Sequence, residues 1–206
     1  IFSKKIIVVS NAVKKQMINF EKVDPKKINV IPLGYNFEMY DKPDIKEVER
    51  IRSQLKSDFT LIIIGRMTKN KRHIIALEVL KKLVDDKLNV KLILLDVGTE
   101  EQKLRSYVID KKIDDRVIFT GFLNNTMNYL AAADLLIHPS ISEASNQVVK
   151  EAAILNKTVI VCKEIGDFDE YIINCKNGFV VSTEKTSEEM YLIIKNNFYK
   201  KNELEI

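Results

Sequence analysis

Apolar residues in this chain fall into short runs, separated by segments where apolar positions recur every three or four residues. The runs are KIIVVS (5–10), INVIPL (28–33), TLIIIG (60–65), VKLILL (90–95), RVIFTG (116–121), DLLIHPS (134–140), TVIVC (158–162) and GFVVS (178–182). Most are continuously apolar and rich in β-branched residues, the mark of parallel strands buried on both faces. Helical spacing occupies residues 11–20, 45–56, 73–87, 100–112, 125–133, 146–156 and 186–199. This alternation predicts an α/β fold, a doubly wound open parallel sheet of Rossmann-like type with right-handed crossovers. The regular series runs from Thr60 to about Ser182 and trails into the charged KKNELEI, with no repeat beyond the strand–helix rhythm. Residues 1–42 look separate, because they close in NFEMYDKPD, a polar, proline-containing linker.

Sheets of this kind bind ligands outside the carboxyl ends of their strands. Those ends read IGRMTKNKR, LDVGTEE, TGFLNN, HPSISEAS and CKEIGDFDE. In the first, Gly65 gives the backbone room to turn. Arg66 and Lys71 follow, with Lys69 and Arg72 beside them. Such cations suit a diphosphate through charge-assisted hydrogen bonds worth roughly 1.5–3 kcal/mol each, although the same loop also fits plain solvation. Neither a Gly-Lys-Ser/Thr phosphate loop nor a G-x-G-x-x-G fingerprint is present.

In HPSISEASNQVVKE a strand ends at His138 and a helix begins near Ser145 or Asn146, both good capping residues. A helix amino terminus at the crevice is a ready anion site. Along that helix Val148, Val149, Ala152, Ala153 and Leu155 fill one apolar face, and Lys150 points away from it. Glu151 lies on the flank of the face, roughly 60° from Val148 and roughly 40° from Leu155. It reads either as a surface carboxylate at the helix margin or as an acceptor for two sugar hydroxyls. Glu143 sits in the preceding turn. His138 reads as a partly buried structural residue rather than a general base. His73 reads as a surface residue or one just behind the site, and Asp96 and Asp134 as turn and cap residues.

Length and composition narrow the picture. The 206 residues suit one domain, or one domain plus a piece of another. With 46% hydrophobic and 30% charged residues, the chain can bury an ordinary globular core. Lys and Arg exceed Asp and Glu by 33 to 29, an excess too small and too scattered for nucleic acid. Cys162 and Cys175 make no disulfide framework; Cys162 reads as a small buried hydrophobe, and a reducing cytosolic compartment fits. There is no signal peptide and no apolar stretch near 18 residues. The chain begins at Ile1 rather than Met, and we read it as a fragment or a processed product.

Five stretches in order resemble one family. Glu143 and Glu151, with seven residues between them, preceded by PS and followed by AA, are similar to the signature of retaining glycosyltransferases of family 4 (group 1). Gly65, Arg66 and Lys71 match the family's GR…K. Phe119 and Gly121 match its FxG, IIVVSNAVKKQM…INVIPLGYN its entry segment, and GDFDEYI…NGFVV its late GGxxE…nG stretch. The resemblance implies the C-terminal, donor-binding half of a GT-B fold. Residues 1–42 would be the tail of the N-terminal domain and the linker, and 43–206 the nucleotide-sugar domain.

It implies that Arg66 and Lys71 bind the donor diphosphate and that Glu143 is catalytic, meeting the donor sugar. Asn146, Gln147 and Val148 would offer backbone N–H groups, Glu151 would hold the ribose, and Phe122 and Leu123 would lie against the base. No cofactor and no metal are expected, because the UDP- or GDP-sugar is a substrate and the cations neutralise its charge. The expected partners are that nucleotide-sugar, the missing N-terminal domain and a glycan or lipid-linked acceptor. Neither nucleic acid nor a transmembrane segment is expected. The expected location is cytoplasmic, with peripheral association at the inner face of the membrane, and the chain alone should not turn over.

This sequence departs from the family pattern in several places. Ala144, Ser145 and Asn146 replace a Gly-Phe-Gly-like stretch, Arg72 replaces a glycine, DVGTEE keeps only Gly98 of a GxGP loop, and Leu33 replaces an Asn. These departures leave open a non-catalytic glycosyltransferase-like binding or partner module. A GT-B-type sugar-nucleotide epimerase is a third reading, for which no catalytic set can be placed.

Overall fold

The computed structural model describes residues 3–40 and 42–203. Each of the eight apolar runs contains a strand: β1 (Ile6–Val8), β2 (Ile28–Val30), β3 (Phe59–Ile64), β4 (Val90–Leu95), β5 (Val117–Gly121), β6 (Leu135–His138), β7 (Thr158–Cys162) and β8 (Phe179–Val181). The seven helical segments are α1 (Asn11–Asn19), α2 (Ile45–Leu55), α3 (His73–Asp85), α4 (Glu101–Asp110), α5 (Met127–Ala132), α6 (Gln147–Ile154) and α7 (Thr186–Glu203). Several stop short of their apolar pattern because the chain turns left-handed just beyond them, at Lys56, Lys87, Lys112 and Asn156. Helix α7 runs on past 199. Asp41 of the linker and the end of the charged tail, residues 204–206, lie outside the described residues.

Strands β3 to β8 form one parallel sheet in the order β5-β4-β3-β6-β7-β8. The two-residue side-chain period of a strand explains its two cores. Leu61, Ile63, Leu92 and Leu94 face one side and pack with Leu77, Leu80, Val108 and Ile194 of α3, α4 and α7. Ile62, Ile64, Ile93 and Leu95 face the other and pack with Ile51, Leu130, Val149 and Ala152 of α2, α5 and α6. The winding direction reverses between β3 and β6, so a crevice opens beyond their carboxyl ends, at Gly65 and His138.

Strands β1 and β2 form a separate parallel pair with α1 as their crossover. They carry a small core of their own, Val8, Val23 and Ile28. The unit rests on the large sheet through polar contacts. Ser10 Oγ donates to Ala144 O (2.9 Å), and Asn11 N and Nδ2 donate to Glu170 Oε1 (2.9 and 3.2 Å).

Candidate functional site

Two loops meet at the reversal point. The first leaves β3 through Gly65, whose φ of 150° favours glycine. The second leaves β6 through Pro139 and ends at the cap of α6. They are stapled together: Ile141 N donates to Asn70 O (2.9 Å), Ser140 Oγ donates to the same oxygen (3.2 Å), and Arg72 Nε donates to Pro139 O (2.7 Å). A third loop joins them. Gly98 lies so close to Met67 that an added Cβ would stand 2.4 Å from Met67 O, and Glu100 N donates to that oxygen (2.8 Å).

The staple sets Lys71 against Glu143. Their side chains form an ion pair, and His138 Nε2 stands 2.7 Å from the same carboxylate oxygen, Oε1. Burial alone would raise the Glu143 carboxyl, but the His138 and Lys71 bonds overcome it and bring it down to about 2. The glutamate is therefore a held anion at neutral pH. With Nε2 donating to Glu143, His138 Nδ1 is left buried without a partner. Asn146 Nδ2 stands 3.2 Å from His138 Nε2, and Asn146 Oδ1 accepts from Val149 N (3.1 Å), capping α6. The Gln147 and Val148 amides lie ahead of that bond, where a helix has no internal acceptor.

Glu151 is 8% exposed, one of the three buried residues of α6. Burial raises it, opposed only by a bond from the Gln147 side chain. Arg66 is exposed at the mouth of the crevice, and Phe122 is 68% exposed beyond β5. Leu123 packs partly against the second core. The structure thus brings Gly65, Arg66, Lys71, Glu143 and Asn146 to one end of the sheet, with Gln147, Val148 and Glu151 following along α6.

Four readings of the sequence need correction. Arg72 is not part of the cationic edge. It adopts a left-handed φ of 50°, which explains why a glycine suits its place, and its guanidinium turns inward to Pro139 O, Thr183 O and Thr186 Oγ1. Of the two readings of His73 the surface one fails and the other fits: it is 2% exposed, and its Nε2 stands 3.1 Å from Gly65 O, just behind the loop. Ala153 is exposed instead of lying on the buried face of α6. Asp134 caps no helix: its Oδ2 accepts from Thr60 N (2.7 Å) and its Oδ1 from Lys201.

Sequence reasoning also missed a second polar cluster beside the site. Lys150 points away from the apolar face, yet its Nζ lies 2.6 Å from Asp167 Oδ2 and 2.7 Å from Ser145 Oγ. Two signals could have found it: a lysine interrupting NQVVKEAAIL, and an aspartate at the second glycine of the GGxxE pattern.

Beside these loops, a groove of about 520 Å³ runs between α1 and the two stretches around Ser142 and Gly166, with Lys15, Gln16 and Glu143 in its wall.

The fold matches solved glycosyltransferases of GT-B type. Over 95% of this chain and 53% of the other, it superposes with a TM-score of 0.83 and 23% identity on Anabaena Alr3699/HepE in complex with UDP and glucose. Among curated proteins, the chain is 26% identical to the Escherichia coli UDP-Gal:alpha-D-GlcNAc-diphosphoundecaprenol alpha-1,3-galactosyltransferase, over 92% of this chain and 53% of that protein. It is 25% identical to a Saccharomyces cerevisiae phosphatidylinositol N-acetylglucosaminyltransferase GPI3 subunit, over 89% of this chain and 40% of that protein. The chain thus spans about half, or less, of the length of these curated relatives. Residues 44–203 match the model of the family described as glycosyl transferases group 1, and the chain belongs to that family.

Proposed function

We propose that this chain is the donor-binding half of a retaining glycosyltransferase, holding a UDP- or GDP-sugar for transfer to a glycan or lipid-linked acceptor. One observation carries the reading: the staple between the β3 and β6 loops brings the Arg66–Lys71 loop, Glu143 and the amino terminus of α6 to one crevice. Arg66 and Lys71 take the diphosphate and supply the counter-charge, so no metal is required and no cofactor takes part. Glu143, already anionic, faces the donor sugar. Glu151 takes the ribose hydroxyls, and Phe122 and Leu123 take the base. The UDP and glucose in the HepE structure and the UDP-Gal in the E. coli relative's name support a nucleoside diphosphate donor.

Residues 1–42 are the tail of an N-terminal domain and its linker in this reading. The separate β1–β2 pair supports this, because a parallel pair is seldom left uncovered, yet Ile7 is 66% exposed. That domain supplies most of the acceptor site, and the groove beside α1 is its near wall. The chain alone therefore transfers no sugar. Among the described residues no helix is long and apolar enough to cross a membrane. The diphosphoundecaprenol acceptor named for the E. coli relative supports cytoplasmic work at the inner membrane face.

The second reading is a non-catalytic partner module. The Lys71–Glu143 ion pair favours it, since each charge already satisfies the other. The test compares UDP with UMP, and GDP with GMP, on wild type and Arg66→Ala. The diphosphate should bind about tenfold or more tighter than the monophosphate in wild type, and Arg66→Ala should erase most of that gap. Equal binding of mono- and diphosphate would leave the module.

A further inference from the structure

Lys150 sits where four segments meet. Its ammonium pairs with Asp167 Oδ2 at 2.6 Å and donates to Ser145 Oγ at 2.7 Å. It also lies over the rings of Tyr35 and Tyr171, 4.8 and 4.9 Å from their centroids. Asp167 is 6% exposed and also accepts from Ser145 Oγ (2.7 Å) and Tyr171 OH (3.2 Å). Tyr35 immediately precedes the linker, and its hydroxyl stands 3.4 Å from Ser145 Oγ. A buried ion pair is sustained only when its remaining donors and acceptors are met, and here the two hydroxyls and two rings meet them.

The cluster touches the site at two points. Ser145 is two residues from Glu143 and immediately precedes the cap of α6. Asp167 follows Gly166, whose φ of 58° suits glycine and where an added Cβ would stand 2.8 Å from Glu143 Cβ. Both segments therefore lie directly beside Glu143.

We propose that Lys150 is a positioning residue: with Asp167, Ser145 and the Tyr35 and Tyr171 rings it latches the linker onto the amino terminus of α6. The latch makes the placement of the linker, and of the unit ahead of it, depend on the same segments that hold the donor. It rests on the donor reading for that coupling, but the latch itself does not.

The experiment is limited chymotrypsin cleavage at Phe37, which is 57% exposed in the linker. Lys150→Met and Tyr35→Leu are compared with wild type and with Lys195→Met, a paired lysine on α7 outside the cluster. Lys150→Met leaves Asp167 buried without its cation; if that variant does not fold, Tyr35→Leu, which keeps the ion pair, decides. Cleavage should be about fivefold or more faster in the cluster variants than in wild type and Lys195→Met, as expected when a local contact is lost. Saturating UDP or GDP should slow cleavage in wild type but not in the variants that still bind it. Wild-type cleavage rates in every folded cluster variant would overturn the latch. If neither nucleotide binds wild type, the donor reading fails, and the cleavage rates of the free proteins still judge the latch.

Discussion

At the scale of single residues, the two glutamates of the site are held in opposite ways. Glu143 is pulled down to about 2 by His138 and Lys71, whereas Glu151 is pushed up by burial and has no cation beside it. A carboxylate in that second state gains most from hydroxyl donors brought by a ligand. Glu151→Gln should therefore weaken UDP or GDP binding by about one to two decades, with stability nearly unchanged. A 2′,3′-dideoxynucleotide should bind wild type weakly and lose little more on the mutant, as a double-mutant cycle demands. Wild-type affinity in the mutant would remove the ribose role. Glu151 was legible because helical spacing alone places it on the flank of an apolar face. The state of Glu143 was not, because its partners Lys71 and His138 lie 72 and 5 residues away and meet it only through the loop staple.

The next scale is that of helices and strands. The strands were legible because buried parallel strands leave continuous apolar runs, and every run contains one. Helix ends were less so. A lysine at φ near 50° ends α2, and lysine carries little signal for a left-handed turn. Arg72 misled for a related reason: a guanidinium after Lys71 reads as part of a basic loop, and only the fold turns it inward. Helix α6 is the element on which the site depends, and Asn146 caps it. Asn146→Ala should cost about 1 kcal/mol of stability, seen as a lowered denaturation midpoint, while Asn146→Ser should recover most of it. Equal midpoints for the two variants would show that the cap contributes nothing here.

At the scale of the whole molecule, pH acts through His73, which stands against the β3 loop at Gly65 O. Burial holds its pKa down to about 4 from 6.5, so the folded state keeps the ring neutral. Between those values the unfolded chain binds the extra proton, and stability falls as pH falls, by about 3 kcal/mol over the interval. Glu143, depressed from 4.5 to about 2, extends the loss to lower pH. Urea midpoints measured from pH 7 to 4 should fall steadily in wild type, and His73→Gln should flatten the fall above pH 4.5. An unchanged slope in His73→Gln would place the acid sensitivity elsewhere.

The central claim is that this chain binds a nucleoside diphosphate without a metal, through Arg66, Lys71 and the amino terminus of α6. Calorimetric titration of the chain with UDP and with GDP, each with and without EDTA, tests it most directly. Saturable one-to-one binding of at least one nucleotide, unchanged by EDTA, is the predicted result; binding that vanishes with EDTA, or no binding of either nucleotide, would contradict it.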